Sequence, residues 1–340
     1  MEYGAGINGL IALIDKKEKL VERIAVMGEI TLVTCFFDLG RGNDTKLEES
    51  LRKTPEKYLT AFRRWARIQN KLIVYTDAAG AEAVREIRNE FGRGEQTVIV
   101  QIDDLFGLEP DLIARMERVS KDSNFLNFRY LQNASSNNPK YDYLWMMKYY
   151  FMNDALNRGL LSEQVVWIDF GFDHGGLLYY DEEDFNFNWE YDFGDKIHIF
   201  CLMDPDSVAG IQVLQYLPDC VMGSMYGLPR TRVADFWTLV RNAIEGLLAL
   251  DCIDDDQLMV LMAYKARPEL FEVHVTEWQM ALKLCGGDHM KLRDRKPPKG
   301  ENKYKRILRI FVRKFIKNPK EPKTHYVNRC YSTAVRFWGK

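Results

Sequence analysis

Several short runs in the chain place carboxylates where a ligand or a reacting group would need them. In Val165-Val166-Trp167-Ile168-Asp169-Phe170-Gly171-Phe172-Asp173-His174 an apolar stretch ends on Asp169. A carboxylate at the carboxyl end of a buried strand lies where open α/β sheets place their ligands. It can hold a divalent cation or the ribose hydroxyls of a nucleotide, and Gly171 lets the backbone approach closely. The same residues also read as a strand followed by a turn, in which Asp is common. A second run, Asp38-Leu39-Gly40-Arg41-Gly42, follows another apolar stretch. Its glycines let a loop wrap a nucleotide, and the Arg41 fork suits phosphate. It lacks Gly-Lys-Ser/Thr and GxGxxG, so it matches neither phosphate-loop motif, and a surface turn accounts for it as well. Tyr75-Thr76-Asp77 repeats the theme of an acid after an apolar run. Finally, the glycines of Val221-Met222-Gly223-Ser224-Met225-Tyr226-Gly227 leave room for a flat sugar ring, and Asp254-Asp255-Asp256-Gln257 opens a helix. Acids are favoured at helix starts and one can serve as general base, although plain capping explains them too.

The elements that must position these residues alternate. Strands are expected at 30–37, 71–76, 97–102, 164–169 and 196–202, with a further strand-like run at 271–275. Between them, Thr54 and Pro55 start a helix as N-cap and first residue, and helical spacing recurs at 81–91, 110–119, 141–158, 233–250 and 256–266. This β-α-β-α rhythm predicts a mostly parallel sheet with helices on both faces.

Hydrophobic residues make up 46% of the 340 and aromatics 13%, enough to bury a sizeable core and to exclude wholesale disorder. The longest apolar stretches are strand-length, short of the roughly 20 residues of a spanning helix. Residues 9–14 run directly into Asp15, Lys16, Lys17 and Glu18, which does not fit a signal peptide. Six cysteines at 35, 201, 220, 252, 285 and 330 form no CxxC pair and read as reduced core residues of a cytoplasmic protein, with little support for a zinc site. The net charge of −2 conceals an asymmetry: residues 291–340 hold 17 Lys/Arg and three acids, whereas the remainder holds 30 basic and 46 acidic residues. Such a tail calls for a polyanionic partner.

Cys35-Phe36-Phe37-Asp38-Leu39-Gly40-Arg41-Gly42, Tyr75-Thr76-Asp77, the helix with Lys148, Trp167-Ile168-Asp169-Phe170-Gly171, and Asp256-Gln257 before Pro268-Glu269-Leu270-Phe271 occur in an order that resembles the GT-A glycosyltransferases. More narrowly, it resembles the WlaTC/HtrL (YibB) family of bacterial surface-polysaccharide loci, over roughly residues 30–280. The resemblance implies a GT-A-like α/β fold and a nucleotide-sugar donor. It also implies an acceptor that is a glycan or lipid-linked glycan, and a divalent cation, Mn or Mg, near Asp169. Asp38, Arg41, Thr76, Asp77, Lys148, Asp169 and Gly171 would then line the donor. A metal-binding Asp-x-Asp would put its second carboxylate at 171, where this chain has Gly171. Asp173 or His174 could assist Asp169, and His274 or, by its Gly-Gly-Asp-His context, His289 could supply a late ligand. Arg41 and Lys148 could offset charge on the leaving diphosphate. An inverting reaction needs a carboxylate to deprotonate the acceptor, for which Asp256 is the candidate; a retaining one needs no base there.

Three regions are therefore expected: a helical extension over 1–29, a GT-A-like domain over 30–290 and a basic tail over 291–340. On a helical wheel of 303–317, Tyr304, Ile307, Leu308, Phe311, Val312 and Phe315 fall within about 140° opposite a Lys/Arg face, with Ile310 and Ile316 as exceptions. That pattern fits a helix lying in an anionic membrane surface, hence a cytoplasmic protein peripheral to the inner face; a helix docked on the acidic body fits it too. Without an accompanying nucleic-acid module the charge is not read as RNA or DNA binding. The alternative to an enzyme is a non-catalytic protein of this fold, binding a nucleotide-sugar, a membrane or nucleic acid through its basic tail.

Overall fold

In the computed structural model the residues described are 28–43, 52–129, 137–278 and 280–293. The chain divides into Met1–Arg293 and Asp294–Lys340, and every described residue belongs to the first unit. The expected N-terminal extension, up to residue 27, and the basic tail from residue 294 lie outside the described residues.

Near-continuous apolar runs build the sheet. β1 (Ile30–Phe36) is buried along its whole length, as a strand covered on both faces must be. It pairs in parallel with β2 (Lys71–Thr76) and with β4 (Gln164–Ile168), and β2 pairs in parallel with β3 (Thr97–Gln101). Beyond β4 come β6 (Met225–Pro229), antiparallel to both of its neighbours, then β5 (Ile197–Cys201) and β7 (Phe271–Val275). The order β3-β2-β1-β4-β6-β5-β7 makes a seven-stranded, mostly parallel sheet. The expected α/β class, with helices on both faces, is what the chain forms.

One face is covered by α3 (Pro110–Val119), α5 (Pro139–Asn157), α7 (Val233–Ala249) and α8 (Asp256–Ala266), whose apolar residues share one core with Val33, Tyr75 and Trp167. The opposite face carries α1 (Pro55–Trp65), α2 (Ala78–Glu90) and a cover from Leu178 to Phe193 that is closed by α9 (Ala281–Leu284). Two short helices, α4 (Ser123–Phe128) and α6 (Gly210–Tyr216), fill connections. Among the described residues no helix is long and apolar enough to cross a membrane. All five described cysteines are buried and free, as expected of core thiols.

One sequence expectation gives way here. The Gly-rich run through 221–227 is not simply a loop with room for a ring, because β6 begins at Met225 and is buried throughout. Gly227 faces the Phe193 ring so closely that a β-carbon there would overlap it. A Gly227→Ala variant is expected to lose about 1–3 kcal/mol by overpacking, measurable by urea denaturation, and Phe193→Leu in the same chain should recover part of that loss.

Candidate functional site

The chain runs β1, β2, β3 in one direction from the middle of the sheet and then places β4 on the other side of β1. The crevice outside the carboxyl ends of β1 and β4 is therefore the topological switch point, where such sheets bind ligands. Asp38 and its loop follow β1, and Asp169 follows β4.

Asp169 is fixed from three directions. Its backbone N–H donates to Ser224 O at 2.9 Å, which extends the β4–β6 ladder. Its Oδ1 accepts from Trp167 Nε1 at 2.8 Å and lies 3.0 Å from Lys148 Nζ. Lys148 comes from α5, a helix started by Asn138, whose side chain accepts from the Lys140 and Tyr141 amides, with Pro139 at its first position. The same ammonium reaches Asp256 Oδ2 at 2.8 Å and donates to Gly223 O at 2.8 Å. It also lies 3.3 Å from the Trp145 ring centre. Asp256, the first residue of α8, takes a second bond on the same oxygen from Tyr226 Oη at 3.2 Å. A β-carbon at Gly223 would overlap the Asp256 carboxylate, so only glycine lets β6 and α8 meet there. Side-chain exposure is 3% for Lys148, 8% for Asp256 and 19% for Asp169, so Asp169 is the most open of the three. Burial pushes the Asp169 carboxyl above its ordinary value and the neighbouring Asp256 adds to this, against the downward pull of Lys148. Among the described residues no protein donor reaches Asp169 Oδ2 or Asp256 Oδ1.

Further cations gather at the β1 side of the crevice. Arg41 Nη1 donates to Tyr141 Oη at 2.5 Å and to Tyr58 Oη at 3.3 Å. Lys53 Nζ lies 3.1 Å from His174 Nδ1 and 5.5 Å from the Tyr58 ring centre. Burial, reinforced by the Arg41 charge, holds the Lys53 ammonium below the ordinary lysine range, while Asp169 pulls it back up. A β-carbon at Gly171 would meet the Tyr58 ring at 3.3 Å and Lys53 Nζ at 4.0 Å. The place a second carboxylate would take is thus faced by an aromatic ring and an ammonium.

Each of the remaining predicted site residues has a contact within the fold. Asp38 Oδ1 accepts from Gly40 N at 2.9 Å and shapes the loop that carries Arg41. Thr76 is buried, its hydroxyl donating to Phe36 O at 2.6 Å, and Asp77 caps α2 by accepting from Gly80 N at 2.8 Å. Asp173 is fully buried: Oδ2 accepts from Arg64 Nε at 2.6 Å and Oδ1 from the amides of Leu178 and Tyr179. His289 packs on Phe187, with its Nε2 2.8 Å from Asp184 O. Among the described residues Asp169, Asp173 and His289 form no common cluster. The engaged Asp169 oxygen already meets an indole N–H and an ammonium, so of this carboxylate only Oδ2 stays open to a divalent cation, which takes about six oxygens.

Sequence reasoning brought Lys148, Asp169, Asp256, Arg41 and Gly171 to this crevice, quoted Trp167, Gly223 and Tyr226 in its candidate runs without giving them these contacts, and missed Tyr58, Tyr141, Trp145 and Lys53. Tyr141, Trp145 and Lys148 stand at i, i+4 and i+7, a single helical stripe that could have been read. Nothing local marks Lys53.

Behind Asp256 lies Asp142, fully buried in the first turn of α5, with neither carboxyl oxygen hydrogen-bonded. Burial and the charges of Asp255 and Asp254 raise its pKa well above the ordinary carboxylate value, against the pull of Arg129. The proton is bound more tightly in the folded chain than in the unfolded one. Its stabilisation is complete below the unfolded value near 3.8 and is lost as pH rises toward the folded value. Asp142→Asn should therefore gain stability relative to the native chain as pH climbs from about 4 to 7; parallel stability–pH curves from urea denaturation would contradict this.

The family model described as "Bacterial protein of unknown function (HtrL_YibB)" matches residues 28–286. Protein HtrL of Escherichia coli strain K12 is 28% identical over 266 residues, covering 72% of this chain and 87% of that protein. Among solved structures, that of mouse xyloside xylosyltransferase 1 in its apo form aligns over 72% of this chain and 84% of that one, with 13% identity and a TM-score of 0.38.

Proposed function

The chain belongs to the HtrL_YibB family, and from that premise we propose that it is a glycosyltransferase that moves a sugar from a nucleotide-sugar donor to a glycan acceptor. The observation that carries this reading is the Lys148 ammonium held between Asp169 and Asp256 at the switch point of the sheet. In this reading the donor enters over the carboxyl ends of β1 and β4. Asp169, through its open Oδ2, accepts from donor hydroxyls. Arg41 and Lys53 face the diphosphate and offset the charge that develops as it leaves, acting as fixed cations in a partly dry site. Asp256 takes the acceptor proton on Oδ1 while Lys148 and Tyr226 hold the other oxygen, which fixes the direction of the free lone pairs. The acceptor is lipid-linked, and residues 303–317 bring the domain to an anionic membrane surface.

The roles separate in kinetics. Asp256→Asn should lower turnover by about 10²–10⁴-fold with donor affinity nearly unchanged, because only proton transfer is lost. Asp169→Ala should instead weaken donor binding as well as turnover. Equal losses of turnover and affinity in Asp256→Asn would make that residue a structural cap. The donor class is found by thermal shift: a nucleotide at about 100 times its Kd adds about 2.7 kcal/mol of stability. Stabilisation without transfer or slow donor hydrolysis would favour the non-catalytic binding protein.

Fixed cations in this role make a second expectation. Adding manganese or magnesium to the purified protein should leave both nucleotide binding and turnover unchanged. A rate that rises in step with either ion would show that a divalent cation displaces Lys148 from Asp169.

A further inference from the structure

On the face covered by α9, three potential metal ligands from separate elements converge. His198 lies on β5 and His274 on the edge strand β7, two residues further along the parallel register, so both imidazoles emerge on the same face. Cys285 follows α9, which closes the cover over that face. His198 Nδ1 and His274 Nε2 are 2.9 Å apart, and one ring nitrogen of each histidine and Cys285 Sγ all lie within 4.8 Å of one another. Among the described residues this is the one group of three or more His, Cys, Asp or Glu side chains so placed.

We propose that His198, His274 and Cys285 form a binding site for a zinc-class divalent ion that pins the segment after α9 to the edge of the sheet. A tetrahedral ion with Zn–N near 2.0 Å and Zn–S near 2.3 Å holds its ligand atoms roughly 3.3–3.7 Å apart. The two histidine nitrogens stand closer than that, at 2.9 Å, and the whole cluster lies within 4.8 Å, so side-chain rotation is the adjustment that binding requires. The outer partner that metal-binding histidines require is already in place: His198 Nε2 lies 3.0 Å from Phe193 O, which puts the proton on Nε2 and leaves the Nδ1 lone pair facing His274. Two nitrogens and a sulfur select zinc over magnesium or calcium. The Cys285 backbone is anchored as well, since Trp189 Nε1 donates to Cys285 O and Gly286, at φ 105°, turns the chain against the Trp189 ring. On binding, the Sγ–H bond gives way to an Sγ–metal bond and the proton passes to solvent. The fourth position falls to water or to Glu272, the register partner of His198.

No residue of this cluster belongs to the proposed transferase site, so the two readings stand or fall separately. The test uses the full chain, purified with a tag that carries no histidines and without chelator. Plasma emission should find one zinc per chain, retained through gel filtration. Chelation should lower the melting temperature, and zinc, but not magnesium, should restore it. Cobalt added to the chelated wild-type protein should develop visible d–d bands together with a thiolate-to-cobalt charge-transfer band. That band should be absent in Cys285→Ser and weakened in His274→Ala, while Cys252→Ser keeps it. Folded wild-type protein that retains no zinc and gives no thiolate band with excess cobalt would overturn the site and leave a neutral histidine pair above an inert thiol. A band that persists in Cys285→Ser would overturn it equally. The wild-type spectrum decides the matter even where a variant fails to fold.

Discussion

A lysine ammonium with 3% of its side chain exposed, 2.8 Å from one carboxylate and 3.0 Å from another, is the constraint around which the crevice is arranged. Carrying that charge out of water costs several kcal/mol, and the cost is met only because both acids and the Gly223 carbonyl lie within hydrogen-bonding distance. Taking away Lys148 would leave two facing carboxylates without a counter-charge, a loss of typically about 3–5 kcal/mol, whereas either acid can be neutralised with the ammonium still paired to the other. The surrounding fold can be understood as the scaffold for this contact. α5 delivers Lys148 from one layer, and the antiparallel β4–β6 pairing sets Asp169 beside Ser224. Glycine at 223 then lets the start of α8 come in close enough for Asp256. The N-terminal end of α8 also favours a carboxylate in its first turn, so the helix and the lysine hold the same charge from two sides.

The electrostatics of the β1 side follow the same logic with opposite sign. Two cations, Arg41 and Lys53, sit near Tyr58, and the Lys53 ammonium is made less basic by burial and by Arg41. Like charges kept close together in a partly dry crevice cost free energy, and in the reading proposed above a bound anion would relieve that cost. Gly171 belongs to this arrangement. A carboxylate there would neutralise Lys53 and crowd Tyr58, so its absence keeps the positive side positive.

Much of this was legible because buried parallel strands write themselves as unbroken apolar runs. β1, β2, β4 and β7 read directly, and the acids that end β1 and β4 marked the switch point. β6 did not read, because Met225-Tyr226-Gly227-Leu228-Pro229 carries a glycine and a proline, residues that ordinarily argue against a central strand. They are tolerated for tertiary reasons: Gly227 makes way for Phe193, and Pro229 ends the ladder opposite Gln164. Lys148 stood out only as one residue of an apolar helix, since the acids it meets come from residues 169 and 256. The His198, His274 and Cys285 cluster was beyond reach for the same reason. Its ligands have no common spacing and meet only through strand order and the return of the chain after α9.

Asp173 shows how a residue type can be right for chemistry and yet serve architecture. It and His174 both adopt left-handed backbone, φ 67° and 47°, and Gly175 and Gly176 continue the turn. Such conformations cost about 1–3 kcal/mol each in residues other than glycine and persist where neighbours over-determine them. Here Asp173 supplies the compensation itself, through an Arg64 ion pair and two backbone amides. Charge-assisted bonds of this kind contribute about 1.5–3 kcal/mol each, enough to offset the strain of both residues. The outcome is a locked loop directly after Asp169 that sets His174 against Lys53. A carboxylate bound to a cation at that position would give up the bonds that hold the loop. Asp173, the next acid along the loop, is thus the one least available to a ligand, and Asp169 is left to face the crevice with Lys148 behind it.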